Sequence, residues 1–179
     1  PVPGHDLAVL GPDGPVAEGV EGDIAVKRGS ASMMLEYWNK PDETAAKFRG
    51  DWLITGDRGQ WDAGYLRFVG REDDVITSAG YRIGPSEIED CLLRHPAVAV
   101  AAVIGVPDPE RTERVRAYVV LKTGMQATQS DLQTHIRTRL SAHLVPREVR
   151  FETELPMTVT GKIIRKELKR RAIAEGSTR

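Results

Sequence analysis

Gly70-Arg71-Glu72-Asp73-Asp74-Val75-Ile76-Thr77-Ser78-Ala79-Gly80-Tyr81-Arg82-Ile83-Gly84-Pro85-Ser86-Glu87-Ile88-Glu89 decides how this chain is organised. A charged turn leads into a short apolar strand, then a glycine turn, then a helix start. Ser86 and Glu89 stand at capping-box spacing, and Ile88, Cys91 and Leu92 give the helix one apolar face. His95-Pro96 ends it, because the residue before a proline is pushed out of the helical region. Before this stretch the pattern is β; after it, helical and strand periods alternate. The domains divide accordingly, at 1–71 and 72–179.

Upstream, Asp6-Leu7-Ala8-Val9-Leu10 runs into Gly-Pro-Asp-Gly-Pro, a strong turn signal. Asp23-Ile24-Ala25-Val26-Lys27 alternates as a half-buried strand does. Residues 41–48 predict a short helix, with Pro41 in the first turn and acids at the positive dipole end. Trp52-Leu53-Ile54-Thr55 and Tyr65-Leu66-Arg67-Phe68-Val69 predict strands paired around an Asp62-Ala63-Gly64 turn. Downstream, residues 98–104 and 115–121 are valine-rich strands joined by a rigid polar loop at 107–111. Ser130 and Gln133 predict a cap for a second helix carrying Leu132, Ile136 and Leu140. Residues 149–151 form a third strand and 164–174 a last helix. The expected fold class is α/β, of the α+β kind: a small C-terminal domain with a three-stranded sheet backed by helices, preceded by a β-rich segment.

Leu155-Pro156-Met157-Thr158-Val159-Thr160-Gly161-Lys162-Ile163-Ile164-Arg165 holds a lysine out on a loop between a proline-started turn and a basic helix. Glycine removes the bulk that keeps backbone from a ligand, and lysine brings a compact rotatable cation for phosphate or carboxylate. A phosphate-binding P-loop is excluded: Pro156 and Ile163 stand where it needs glycine and Ser or Thr.

The 179 residues carry a net charge of −1, so no global field draws nucleic acid or an anionic membrane. Residues 165–171 are basic but lack interleaved aromatics, which makes them an exposed helix face. No apolar run approaches the roughly 20 residues of a membrane span. The single cysteine, Cys91, excludes an internal disulfide and suits a reducing, cytoplasmic compartment. The chain starts with Pro1, which predicts a fragment of something longer.

Taken together, Trp52-Leu53-Ile54-Thr55-Gly56-Asp57, the 70–89 stretch and the 155–165 loop resemble, in order and spacing, the C-terminal third of the acyl-adenylate-forming superfamily. That superfamily includes acyl-CoA synthetases, peptide-synthetase adenylation domains and luciferases. The resemblance covers essentially the whole chain, and residues 78–85 look most like the medium-chain acyl-CoA synthetases. It implies that residues 1–71 end a large nucleotide- and acyl-binding domain whose remainder is missing, and that 72–179 form a mobile C-terminal domain. It implies a carboxylic acid, ATP and coenzyme A as substrates, with Mg2+ held by residues outside this stretch.

The resemblance also implies roles. Lys162 matches the lysine that bridges carboxylate and α-phosphate. Asp57 matches the carboxylate that accepts both ribose hydroxyls, and Arg71 and Arg82 match nucleotide-contacting arginines. Ala79, Gly80 and Tyr81 match the segment lining the pantetheine tunnel. Arg111 and Arg137 match contacts to coenzyme A, and Asp73 falls at the hinge. Each has a plainer use: a solvated lysine, a turn aspartate, surface ion pairs, a β-turn glycine.

Two departures from the family pattern stand out. Thr77 occupies a place where many relatives carry lysine, and the Ser/Thr/Gly-rich phosphate loop is absent. The acyl pocket is absent too, so substrate identity is not encoded here. Two other readings remain: an adenylation domain that loads a carrier protein, and a non-enzymatic remnant that binds a nucleotide, coenzyme A or a partner.

Overall fold

The computed structural model describes residues 2–176. The chain divides into two compact units, Pro1–Asp73 and Asp74–Arg179.

The first unit is an antiparallel sheet: β1 (Leu7–Gly11), β2 (Gly14–Pro15), β3 (Gly22–Lys27), β4 (Phe48–Arg49), β5 (Trp52–Asp62) and β6 (Tyr65–Arg71). The order is β2-β1-β3-β5-β4, with β6 also on β5. One short helix, α1 (Pro41–Ala45), precedes β4; Pro41 opens it and Asp42 and Glu43 fill its first turn. The predicted strand pair is present, and longer than read. Asp62 pairs with Tyr65 around Ala63 and Gly64, both at positive φ (47° and 80°). Two such residues make the turn whose twist matches paired strands. The core here is thin: Ala8, Leu10 and Ala25, with Trp52 and Ile54 packed against them. Leu35, Trp38 and Tyr65 remain 92%, 82% and 79% exposed, so much of this unit's apolar surface has no cover within it.

The second unit is built on a five-stranded sheet: β7 (Ile76–Ser78), β8 (Tyr81–Ile83), β9 (Val98–Asp108), β10 (Thr112–Leu121) and β11 (Glu148–Phe151). The three strands expected from the sequence are β9, β10 and β11. The sheet is larger than three strands because the β7–β8 hairpin joins it beside β10. β9 pairs antiparallel and β11 parallel to β10. Helices α2 (Pro85–Leu93) and α3 (Gln129–Arg137) cover one face over Ile76, Ile88, Leu92, Val103, Val119, Leu132 and Ile136. Helix α4 (Arg165–Gly176) covers the other over Ala102, Ile104, Tyr118 and Leu155, through Leu168 and Ala172. Burial on both faces is why residues 98–104 read as a nearly unbroken apolar run.

Two helix starts differ from the sequence expectation. Helix α2 begins at Pro85 with Gly84 as N-cap and no side-chain cap. Glu89 turns inward instead: it is 8% exposed, and its carboxylate accepts the Val103 amide at 2.8 Å and the Arg165 guanidinium at 2.6 Å. The buried strand amide and arginine outbid the helix end for that carboxylate. Helix α3 is capped one frame earlier than Ser130–Gln133, by a Thr128–Asp131 capping box. Gln133 donates to the Pro146 carbonyl at 2.8 Å. No helix among the described residues is long and apolar enough to cross a membrane.

Candidate active-site residues

In the first unit the predicted residues Asp57 and Arg71 face each other across β5 and β6. Arg71 donates to the Asp57 carboxylate at 2.8 Å and lies 3.8 Å from Asp73. The Asp57 amide donates to Thr55 Oγ1 at 3.1 Å, which fixes the backbone beneath the carboxylate. Gly56 makes the arrangement possible: its φ is 85°, and a Cβ there would meet Arg71 Nη2 at 2.9 Å. Asp57 and Arg71 are both partly exposed, so the pair contributes about 1 kcal/mol or less to folding. Its product is orientation: a carboxylate held at the surface with oxygen lone pairs left for vicinal hydroxyls. Asp73 lies in a one-turn 3-10 helix, Glu72–Asp74, at the unit boundary.

In the second unit, Ala79 and Gly80 form the two-residue turn of the β7–β8 hairpin, at φ 49° and 84°. A Cβ on Gly80 would meet nothing within this structure, so it is the positive φ that requires glycine. Tyr81 stacks on His143 with ring centroids 4.2 Å apart and planes 11° apart. The two rings belong to a cleft of about 80 Å³ that Ser78, Ala79, Arg111 and Arg147 also line. The cleft is the size of a few water molecules. It fits a phosphate or one edge of a ring, not a whole nucleotide. Two guanidiniums and two stacked rings give it the character of an anion- and aromatic-recognising surface.

Arg82 is exposed and pairs with Thr77 across the hairpin. Arg137, near the end of α3, is exposed and does not line the cleft. Sequence reasoning thus brings Ala79, Tyr81 and Arg111 to one place and leaves Arg137 outside it. It missed His143, in the one-turn 3-10 helix Ala142–Leu144, and Arg147 just beyond it, where the sequence carries no periodic signal.

Lys162 stands on a closed hairpin. Met157 and Ile163 form an antiparallel bridge; the Thr158 amide donates to the Lys162 carbonyl at 2.8 Å and the Ile164 amide to that of Pro156 at 2.8 Å. The Lys162 amide donates to Thr158 Oγ1 at 3.1 Å. Gly161, at φ 79°, turns the chain, and no neighbour would crowd a Cβ on it. The Lys162 ammonium is exposed and has no partner among the described residues. Leu155 and Ile163 anchor the hairpin's base in the core under α4. Arg165 follows at the start of α4, reaching Glu89 at 2.6 Å and Asp74 at 3.3 Å.

Among the described residues, no group of three His, Cys, Asp or Glu side chains is placed to hold a metal ion. The titrating groups with displaced pKa are structural. Burial pushes the Cys91 thiol up and the His135 imidazole down, against the bond His135 makes to the Cys91 carbonyl.

Residues 87–162 match the family described as AMP-binding enzyme C-terminal domain. Human acyl-coenzyme A synthetase ACSM1, mitochondrial, is 41% identical over 94% of this chain and 31% of its own length. Acetyl-coenzyme A synthetase of Bacillus subtilis (strain 168) is 39% identical over 94% of this chain and 31% of its own. The chain spans about a third of the length of these relatives. Among solved structures, the anthranilate CoA ligase AuaEII in complex with anthranoyl-AMP superposes with a TM-score of 0.88 at 35% identity, over 98% of this chain and 35% of its own. The amide bond synthetase McbA of Marinactinospora thermotolerans gives 0.85 at 33%, over 94% and 35%. Residues 87–162 thus carry an AMP-binding enzyme C-terminal domain, in a chain that is similar along nearly its whole length to the C-terminal third of acyl-coenzyme A synthetases.

Proposed function

We propose that this chain is the C-terminal third of an AMP-forming acid–thiol ligase, an acyl-CoA synthetase acting on a carboxylic acid, ATP and coenzyme A. In the first step a carboxylate oxygen attacks the α-phosphorus, the bond to the β-phosphate oxygen breaks, and pyrophosphate leaves. In the second the coenzyme A thiol loses its proton and its sulfur attacks the acyl carbon, expelling AMP. The first step brings two anions together, and the exposed Lys162 ammonium bridges them. Asp57 accepts the ribose hydroxyls; Arg71 and Arg82 contact the nucleotide.

In the second step Ala79, Gly80 and Tyr81 line the path of the pantetheine arm, and Arg111 and Arg137 meet the anionic end of coenzyme A. The small basic, aromatic cleft supports that assignment for Arg111. Asp73, at the boundary of the two units, is the hinge about which the C-terminal domain moves between the steps. Mg2+ would accompany ATP, held by residues outside this stretch.

The observation that carries the reading is Lys162: backbone bonded on both sides, with an exposed ammonium that has no partner among the described residues. In the full-length protein, Lys162→Ala is expected to cut pyrophosphate release by on the order of 10²–10³. Thioester formation from supplied acyl-AMP should survive. Near-normal pyrophosphate release would overturn the assignment. Amide rather than thioester as product, the chemistry McbA is named for, would redirect the second step to an amine.

A further inference from the structure

The β7–β8 hairpin is short, and its contact with the rest of the sheet is slight. Only one residue pair, Ser78 with Thr112, joins it to β10 in register. Its tip is fixed by two further bonds from the same place. The Ala79 amide donates to the Arg111 carbonyl at 3.0 Å, and the Thr77 amide donates to Glu113 Oε2 at 2.7 Å. All three come from consecutive residues, Arg111, Thr112 and Glu113, at the β9–β10 turn.

That turn is shaped for the task. The Asp108 carboxylate accepts the Glu110 and Arg111 amides at 3.1 Å each, so the loop is held from within. Thr112 sits at φ 69°, a conformation a β-branched residue adopts only where its surroundings impose it. Glu113 then folds back over β9, where Gly105 leaves the space. A Cβ on Gly105 would lie 2.6 Å from the Glu113 carboxyl carbon. The missing side chain on one strand is the seat for a carboxylate on the next.

We propose that Glu113, seated over Gly105, is a positioning residue for thioester formation: it clamps the Thr77 amide and so sets the Ala79-Gly80-Tyr81 segment against Arg111. The inference rests on the functional reading above. A carboxylate accepting a backbone amide is a strong, directional bond. Releasing it leaves the hairpin tip tied only beside Arg111 and Thr112. Lys162 lies on a different loop, bonded within itself, and Arg82 is held on β8 beside Ile83, which is buried in the core, so the adenylating step does not depend on the clamp.

The test uses the full-length protein and measures both half-reactions with Glu113→Ala, Glu113→Gln and Gly105→Ala. Glu113→Ala is expected to slow acyl transfer to coenzyme A, from supplied acyl-AMP, by on the order of tenfold to a hundredfold. Pyrophosphate release should stay within about twofold, the scatter of uncoupled sites. Glu113→Gln restores transfer, because its amide oxygen still accepts from Thr77. Gly105→Ala, which keeps Glu113 but fills its seat, reproduces the selective loss and serves if Glu113→Ala fails to fold. In the double variant the Gly105→Ala effect disappears.

Equal loss of both half-reactions, or a Gln variant as poor as Ala, would overturn the proposal. Amide exchange at Thr77 separates it from the functional reading. Exchange should speed up in Glu113→Ala and stay slow in Glu113→Gln whatever product the protein makes. A wild-type protein making no acyl-CoA would sink the functional reading alone; unchanged exchange at Thr77 would sink the clamp.

Discussion

At Gly56 a single hydrogen atom keeps the Asp57–Arg71 pair intact. Gly56→Ala combines an unfavourable φ of 85° with a clash against the arginine. The expected loss is about 1–2 kcal/mol of stability of the first unit, with weaker ATP binding in the full-length protein. Chemical denaturation and nucleotide titration check the two effects; an unaltered nucleotide affinity would remove Asp57 and Arg71 from the ribose site. The residues that motifs could reveal were legible: Asp57, Arg71, Ala79, Tyr81, Arg111 and Lys162 sit in patterned, turn-marked stretches. His143, Arg147 and Glu113 were not. Their contacts are made across many residues of chain, and Gly105 in a valine run reads as a plain strand glycine until its neighbour is known.

Among the elements, α3 offers a clean choice between two overlapping capping frames. Thr128→Ala should cost about 1 kcal/mol, whereas Ser130→Ala should be near neutral; thermal unfolding of both variants decides it. Both frames satisfy the same spacing rule, so the sequence could not choose between them. The choice follows from where the backbone becomes helical, at Gln129. For a related reason β8 went unread, and β7, read as a short apolar strand, was not joined to the sheet: three residues are too few for alternation to register.

Helix α4 makes a pH prediction. Hydrogen bonds from Arg170, then Arg171, hold the Glu167 carboxyl down to about 2 from its usual 4.5. A depressed folded pKa means that its support for α4 is complete above the unfolded value near 4.5. It is lost as pH falls from there toward about 2. NMR titration of the Glu167 side chain should give the low midpoint, and Arg170→Ala should raise it. A midpoint near 4.5 would mean that the arginines do not hold Glu167 in solution. The Arg165–Glu89 contact is more deeply set, so Glu89→Ala should destabilise the second unit by about 3 kcal/mol.

On the scale of the whole molecule, the two units differ in how much they bury. The second closes apolar layers on both faces of its sheet, while the first holds a handful of buried side chains. Hydrogen exchange on the chain itself should therefore find its slowest amides in β9, β10 and α2, with faster exchange throughout residues 2–73. Equal protection in both units would contradict the difference in core size. The sequence changes pattern near residue 72, from β to alternating periods. The thinness of the first core was not legible, because alternation marks a strand without saying how well its apolar side is covered.

The lysine hairpin stores its shape locally: its bonds run between residues 156 and 164, with buried Leu155 and partly buried Ile163 anchoring its base. Such a stretch is modular. It could be exchanged between related chains, or joined end to end as a cyclic peptide, and still present its cation at the same angle. Natural variation in this loop can then tune the reach of one charge while the sheet behind it stays unchanged.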